Sequence, residues 1–82
     1  MTPQRVLLFN MLKDPVNFPL EVLGSLKRDH FTNKYDKEVF HSIRNYYQQY
    51  GKIPSLAELR IFYRSTTLDA FEIPEDYEYV DT

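Results

Sequence analysis

The stretch NKYDKEVFHSIRNYYQQYG, residues 33–51, decides how this chain is read. Asn33 is an acceptor of the kind that caps the first turn of a helix, Asp36 and Glu38 follow near the positive end of the helix dipole, and Gly51 suits the left-handed turn that ends a helix. Between these signals, steps of ~100° per residue gather Val39, Phe40, Ile43, Tyr46, Tyr47 and Tyr50 into a stripe about 120° wide. His41, Asn45, Gln48 and Gln49 fall on the other side. The spacing predicts an amphipathic helix with its aromatic stripe turned to a core.

Downstream, Lys52-Ile53-Pro54 is a tight connection and Ser55-Leu56-Ala57-Glu58 is a capping box that opens a fourth helix. Leu56, Leu59, Phe62 and Tyr63 form its inward face, while Ile61 lies away from them as a contact point. Ser65-Thr66-Thr67 is expected to end it. After a loop with Phe71 and Ile73, Pro74-Glu75 reads as the start of a fifth helix, which has barely two turns before residue 82, too few to be stable alone. Upstream, Thr2-Pro3 opens a first helix that runs to about residue 12 and closes at Asp14-Pro15. Its Val6, Leu7, Leu8, Phe9, Met11 and Leu12 point nearly all round the axis, so it is central in the core or covered by a partner. A second helix is expected from residue 18 or 19 to about 28, with Leu20, Val22, Leu23 and Leu26 apolar and Phe31 closing the segment. Gly24 weakens that helix by about 1 kcal/mol relative to alanine.

The expected fold class is therefore all-α, a compact bundle of four helices with the start of a fifth. Val6, Phe9, Val22, Leu26, Phe40, Ile43, Tyr47, Leu59 and Phe62 are its expected core. The expected division is a helical head over residues 1–68 and an acidic tail, or the start of a further helix, over residues 69–82.

Composition narrows the function classes. With 82 residues, 43% of them hydrophobic, the chain has room for one core, and a domain of this size buries only roughly 60% of the surface its unfolded form exposes. A core plus an enclosed catalytic cleft is not expected, and the chain reads as a non-enzyme. It has no cysteine, hence no disulfide framework and no thiolate chemistry, which suits the cytoplasm. The longest apolar stretch, residues 6–9, is far below the ~18 residues that a membrane span needs. All 10 Lys and Arg lie in residues 1–68 against 6 acids, a balance of +4, whereas residues 69–82 hold 6 acids and no base, a balance of −6. The basic residues are scattered, as on a solvated surface, and direct nucleic-acid binding is not expected.

Neither His30 nor His41 has a metal-binding partner at the spacing a helical site uses, and no cofactor or metal is expected. No serine sits in a nucleophile-elbow pattern. Glu75 and Asp76 lie in an exposed acidic segment with nothing to separate their pKa values, and Gly24 and Gly51 form no phosphate loop. The chain's 7 Tyr and 6 Phe are its unusual load. Most fall on helix stripes, but Tyr77 and Tyr79 alternate with acids in the tail, a pattern suited to protein contacts. Residues 50–59 also resemble the lead-in to the positioning helix of several winged-helix repressors. The segment that follows carries Asp69, Glu72, Glu75 and Asp76, which would set carboxylates against phosphates, so electrostatics oppose a helix-turn-helix DNA reader.

Taken in order, the features resemble a known head domain: a first apolar helix, then residues 18–31 ending Leu26-Lys27-Arg28-Asp29-His30-Phe31, residues 33–50 with Phe40 and Ile43, the turn Ile53-Pro54-Ser55, and residues 56–65 with Leu59. This order is similar to the N-terminal domain of hexameric replicative helicases of the DnaB type, most of all the T-even phage version, over roughly residues 5–82. The resemblance implies a helical head that joins subunits of a ring and offers surfaces to primase and loader proteins, with no activity of its own. The family's helical hairpin is missing or only begun at Pro74, and there is no motor domain. The implied function is a non-catalytic interaction and assembly domain that forms homo-oligomers or binds helicase subunits, primase or loader, with Phe9, Ile61, Tyr63, Tyr77 and Tyr79 as contact residues. The alternative is a stand-alone small phage protein on the same head, binding a replication or defence component through its acidic tail.

Overall fold

Asn33 begins the longest helix as its side chain predicts: its Oδ1 accepts hydrogen bonds from the amides of Tyr35 at 2.8 Å and Asp36 at 3.3 Å. Gly51, at φ 70°, ends it by donating its amide to the Tyr47 carbonyl at 2.7 Å. The computed structural model describes residues 3–78. Its elements are α1 (Pro3–Lys13), α2 (Leu20–Ser25), a single 3-10 turn (Arg28–His30), α3 (Lys34–Tyr50), α4 (Leu56–Phe62) and α5 (Thr66–Ala70). The protein is all-helical, with no strand among the described residues. None of these helices is long and apolar enough to cross a membrane.

α3 is the axis on which the others assemble. Val39, Phe40 and Ile43 are fully buried and Tyr46 nearly so, whereas Tyr47 is half-buried and Tyr50 half-exposed. The stripe fails at its end for a geometric reason. Seventeen helical residues span about 25 Å, as much as the molecule itself at 29 × 25 × 24 Å, so the last turn of α3 lies at the rim.

α1 packs against α3 and buries Leu8, Phe9, Met11 and Leu12. The helix that is apolar all round is thus central in the core, and its cover comes from its own chain. Asp36 is turned inward, with its side chain 3% exposed, and its Oδ1 takes Nη2 of Arg5 at 2.7 Å and Nε at 3.2 Å. This pair ties the first turn of α3 to the start of α1.

Several expectations are corrected. α2 ends at Ser25 instead of running on to residue 28, because Gly24 and Ser25 are poor helix formers and Ser25 Oγ donates back to the Val22 carbonyl at 2.9 Å. Leu26 is already extended, and His30 Nδ1 accepts from the Lys27 amide at 3.0 Å. α2 buries Leu23, and the residues flanking it add to the core: Phe18 is buried, and Phe31 stacks on Phe40 with centroids 4.7 Å apart. Val6, Val22, Leu26 and Tyr47 are half-buried and stand at the edge of the core.

α4 opens with both halves of its capping box in place: Ser55 Oγ accepts from the Glu58 amide at 3.2 Å, and Glu58 Oε1 accepts from the Ser55 amide at 3.1 Å. Phe62 does not join the core. It is half-exposed, while Leu59 one turn earlier is fully buried. Ser65-Thr66-Thr67 starts a helix in place of ending one, since Ser65 Oγ accepts from the Thr67 amide at 3.2 Å and donates to Glu38 Oε1 at 2.8 Å. No helix starts at Pro74 within the described residues; a turn forms there, with the Tyr77 amide on the Pro74 carbonyl at 3.0 Å. The expected boundary after residue 68 falls inside α5. Leu68 and Phe71 are buried, and Ile73 and Tyr77 pack against the core, so the described part of the acidic tail belongs to the head. Thr2, the expected cap of α1, lies outside the described residues.

Candidate protein-interaction surface

An exposed aromatic surface is built where the rim of α3 meets α4. Tyr46, Tyr50 and Phe62 form a triangle of rings with centroid distances of 4.6, 5.4 and 5.6 Å. Helical spacing places Tyr46 and Tyr50 one turn apart on one face, and Phe62 arrives because α4 is short and ends beside them. Tyr46 is the buried foot of the triangle, at 3% exposure, whereas Tyr50 and Phe62 stand half out of the surface at 50% and 52%. Ile61, next along α4, is 73% exposed.

A carboxylate fixes this cluster from below. Tyr46 donates its hydroxyl to Glu58 Oε2 at 3.0 Å, and the other oxygen of Glu58 is held by the cap of α4. The Ser55 amide, followed by the Tyr46 hydroxyl, holds the Glu58 carboxyl below its usual range. Burial, followed by the bond to Glu58, pushes the Tyr46 phenol above its usual value. The two exposed rings therefore sit on a pinned base, and burying them against another surface needs little side-chain ordering.

A second apolar strip lies on the other side of the α3 terminus. Val16 is 90% exposed and Leu20 43%, and both line a groove of about 240 Å3 with Pro15, Gly51, Lys52 and Ile53.

The expected contact residues fare differently. Ile61 is at the surface, one residue before Phe62 on α4, and Tyr63 is half-buried against the core at the end of α4. As contact residues Phe9 and Tyr77 are corrected, since they meet each other, and Phe9 stands in the core where it was also expected. Phe9 is only 4% exposed and lies edge-on to Phe71 at 5.5 Å and to Tyr77 at 5.1 Å. Tyr77 donates its hydroxyl to Asn10 Oδ1 at 2.6 Å. Tyr79 lies outside the described residues. Tyr50 and Phe62 were missed as surface residues because both fit an inward helical stripe; the signal for Tyr50 was its place in the last turn before Gly51.

Several polar side chains bond within the fold. Ser25, Ser42, Ser55 and Ser65 all bond backbone or Glu38, and His41 Nε2 lies 3.3 Å from Asn45 Nδ2 in the next turn. Among the described residues no three His, Asp or Glu side chains come together as a metal site requires. α5, which follows α4 where a DNA-reading helix would stand, has five residues and buries Leu68.

Comparison with family models, with curated proteins and with solved structures finds no match to this chain.

Proposed function

We propose that the chain is a non-catalytic protein-interaction and assembly domain of the kind found at the N-terminus of phage-type replicative helicases, and that it binds through the α3–α4 aromatic face. The observation that carries this is the half-exposed pair Tyr50 and Phe62, held on Tyr46 and Glu58, with Ile61 exposed one residue before Phe62. Aromatic side chains are enriched at protein interfaces and dominate their energetics, and rings pinned in advance lose little entropy on binding. The order of helices read from the sequence supplies the family, and with it the expected partners: other copies of the head, a helicase ring, a primase or a loader, in the cytoplasm.

The alternative in which residues 69–82 bind the partner has less to rest on, because Tyr77 is turned against α1. Light scattering over a wide concentration range, followed by titration into purified replicative helicase, primase and loader, tests the proposal. Concentration-dependent oligomers or binding to one of these proteins is the expected result. A chain that stays monomeric and binds none of the three contradicts it.

A further inference from the structure

Residues 72–78 cross the molecule without regular structure. Among the described residues their one backbone–backbone hydrogen bond is the internal Tyr77 to Pro74 bond. Glu72, Pro74, Glu75, Asp76 and Glu78 are exposed, and only Ile73 and Tyr77 pack inward. Two open clefts meet the start of the segment. One of about 490 Å3 opens between Arg5, Tyr35, Thr67 and Phe71, one of about 310 Å3 between Leu56, Arg60 and Ile73, and Glu72 lines both.

The two ends of the segment are held differently. Before it, Phe71 is fixed to α5 and α4: its amide donates to the Thr67 carbonyl at 3.0 Å, and its carbonyl accepts from Arg60 Nη2 at 2.5 Å. At the far end Tyr77 lies edge-on to Phe9, with its hydroxyl 2.6 Å from Asn10 Oδ1. Asn10 is the buried polar residue of an otherwise apolar helix face, 1% exposed. Four carboxylates within seven residues, with no base among them, repel one another while the segment is held in one shape.

We propose that residues 72–78 are a strap that lifts as a unit from α1, hinged after Phe71 and latched by Tyr77 on Asn10 and Phe9, while the core of α1, α3 and α4 stays folded. Lifting it uncovers the Val6, Phe9 and Asn10 side of α1 and hydrates Asn10, so the open state leaves no buried polar group unpaired. This inference does not depend on the α3–α4 face. Segments with few buried apolar contacts and little backbone hydrogen bonding open at free energies well below that of global unfolding.

The chain has no cysteine, so a single introduced thiol reports on one place. Thiol labelling of the full chain is measured in rising urea for Ile73→Cys, on the inward side of the strap, and for Ser42→Cys, a near-isosteric change at a buried position on α3. The labelling rate at position 73 is expected to depend weakly on urea and that at position 42 steeply, because the slope scales with the surface exposed on opening. Adding Tyr77→Phe to Ile73→Cys removes the bond to Asn10 and is expected to speed labelling about fivefold, the effect of one ordinary hydrogen bond. One shared rate and urea slope at the two positions makes the segment part of the single cooperative core and overturns the proposal. An unchanged rate on adding Tyr77→Phe overturns the latch.

Discussion

Asp36 and Glu58 show how single carboxylates hold this small head together. Asp36 is nearly buried and receives two hydrogen bonds from Arg5, one charge-assisted contact that spans 31 residues of sequence. Asp36→Ala is expected to lower stability by about 2 kcal/mol, the range for hydrogen bonds to charged groups, measured by urea unfolding. Glu58 and Glu38 contribute to stability on the acid side. Both have folded pKa values below the usual 4.5, Glu58 chiefly through the Ser55 amide and Glu38 chiefly through the Thr67 hydroxyl. A depressed folded pKa contributes stability that is present above 4.5 and lost as pH falls through the lower folded value. Glu58→Gln should therefore flatten the loss of thermal stability below pH 4.5, with little change in its slope near neutrality. Tyr46 acts in the opposite sense at the alkaline end: its folded pKa is raised above 10.0, chiefly by burial, so its contribution is complete below pH 10 and lost as pH rises past the folded value.

Helices that carry their own stop and start signals were legible in the sequence, and those defined by packing were not. α3 needed only Asn33, Gly51 and the stripe between them, and α4 needed only its capping box. α5 was hidden because Ser65-Thr66-Thr67 reads equally as the end of one helix or the cap of the next, and the burial of Leu68 and the Glu38 contact decide between them. Pro74-Glu75 misled for the same reason in reverse, since proline suits a turn as well as a first helical position. Phe62 looked inward by spacing, but α4 is too short to carry it under the core. The two glycines give a paired test. A Cβ at Gly24 meets nothing within 4 Å and its φ is not positive, whereas Gly51 sits at φ 70°. Gly24→Ala is expected to raise stability by about 0.5–1 kcal/mol. Gly51→Ala should lower it by about 1 kcal/mol, the strain of a left-handed backbone with a side chain, and thermal melts of the two variants give the comparison.

For the molecule as a whole, function was less legible than fold, because the candidate surface depends on which apolar side chains are left over once the core is filled. The pattern placed Phe62 in the core, Tyr50 on the inward stripe of α3 and Tyr77 among the contact residues, with Phe9 both a core and a contact residue; the structure leaves Tyr50 and Phe62 half-exposed and packs Phe9 against Tyr77. What decides this is length. α3 outruns the core at one end, while residues 71–77 fold back over α1 and close it at the other. Ile61→Asp changes a side chain that is 73% exposed, so it is expected to leave the melting temperature within about 4 °C, the range of ordinary surface substitutions in a domain of this size, while weakening any binding at the α3–α4 face at least tenfold. A large loss of stability in that variant would mean that Ile61 has a structural role the surface account denies it.

Amide chemical-shift mapping is the most direct test of the α3–α4 face, and the 9.9 kDa chain is small enough for it. The labelled chain is titrated with unlabelled chain and with purified replicative helicase, primase and loader in turn. Shifts that cluster on Tyr50, Gly51, Ile61 and Phe62, and vanish with Ile61→Asp, are the predicted result. Shifts confined to residues 72–78, or none with any of the four, would contradict the claim that this aromatic face is where the protein binds.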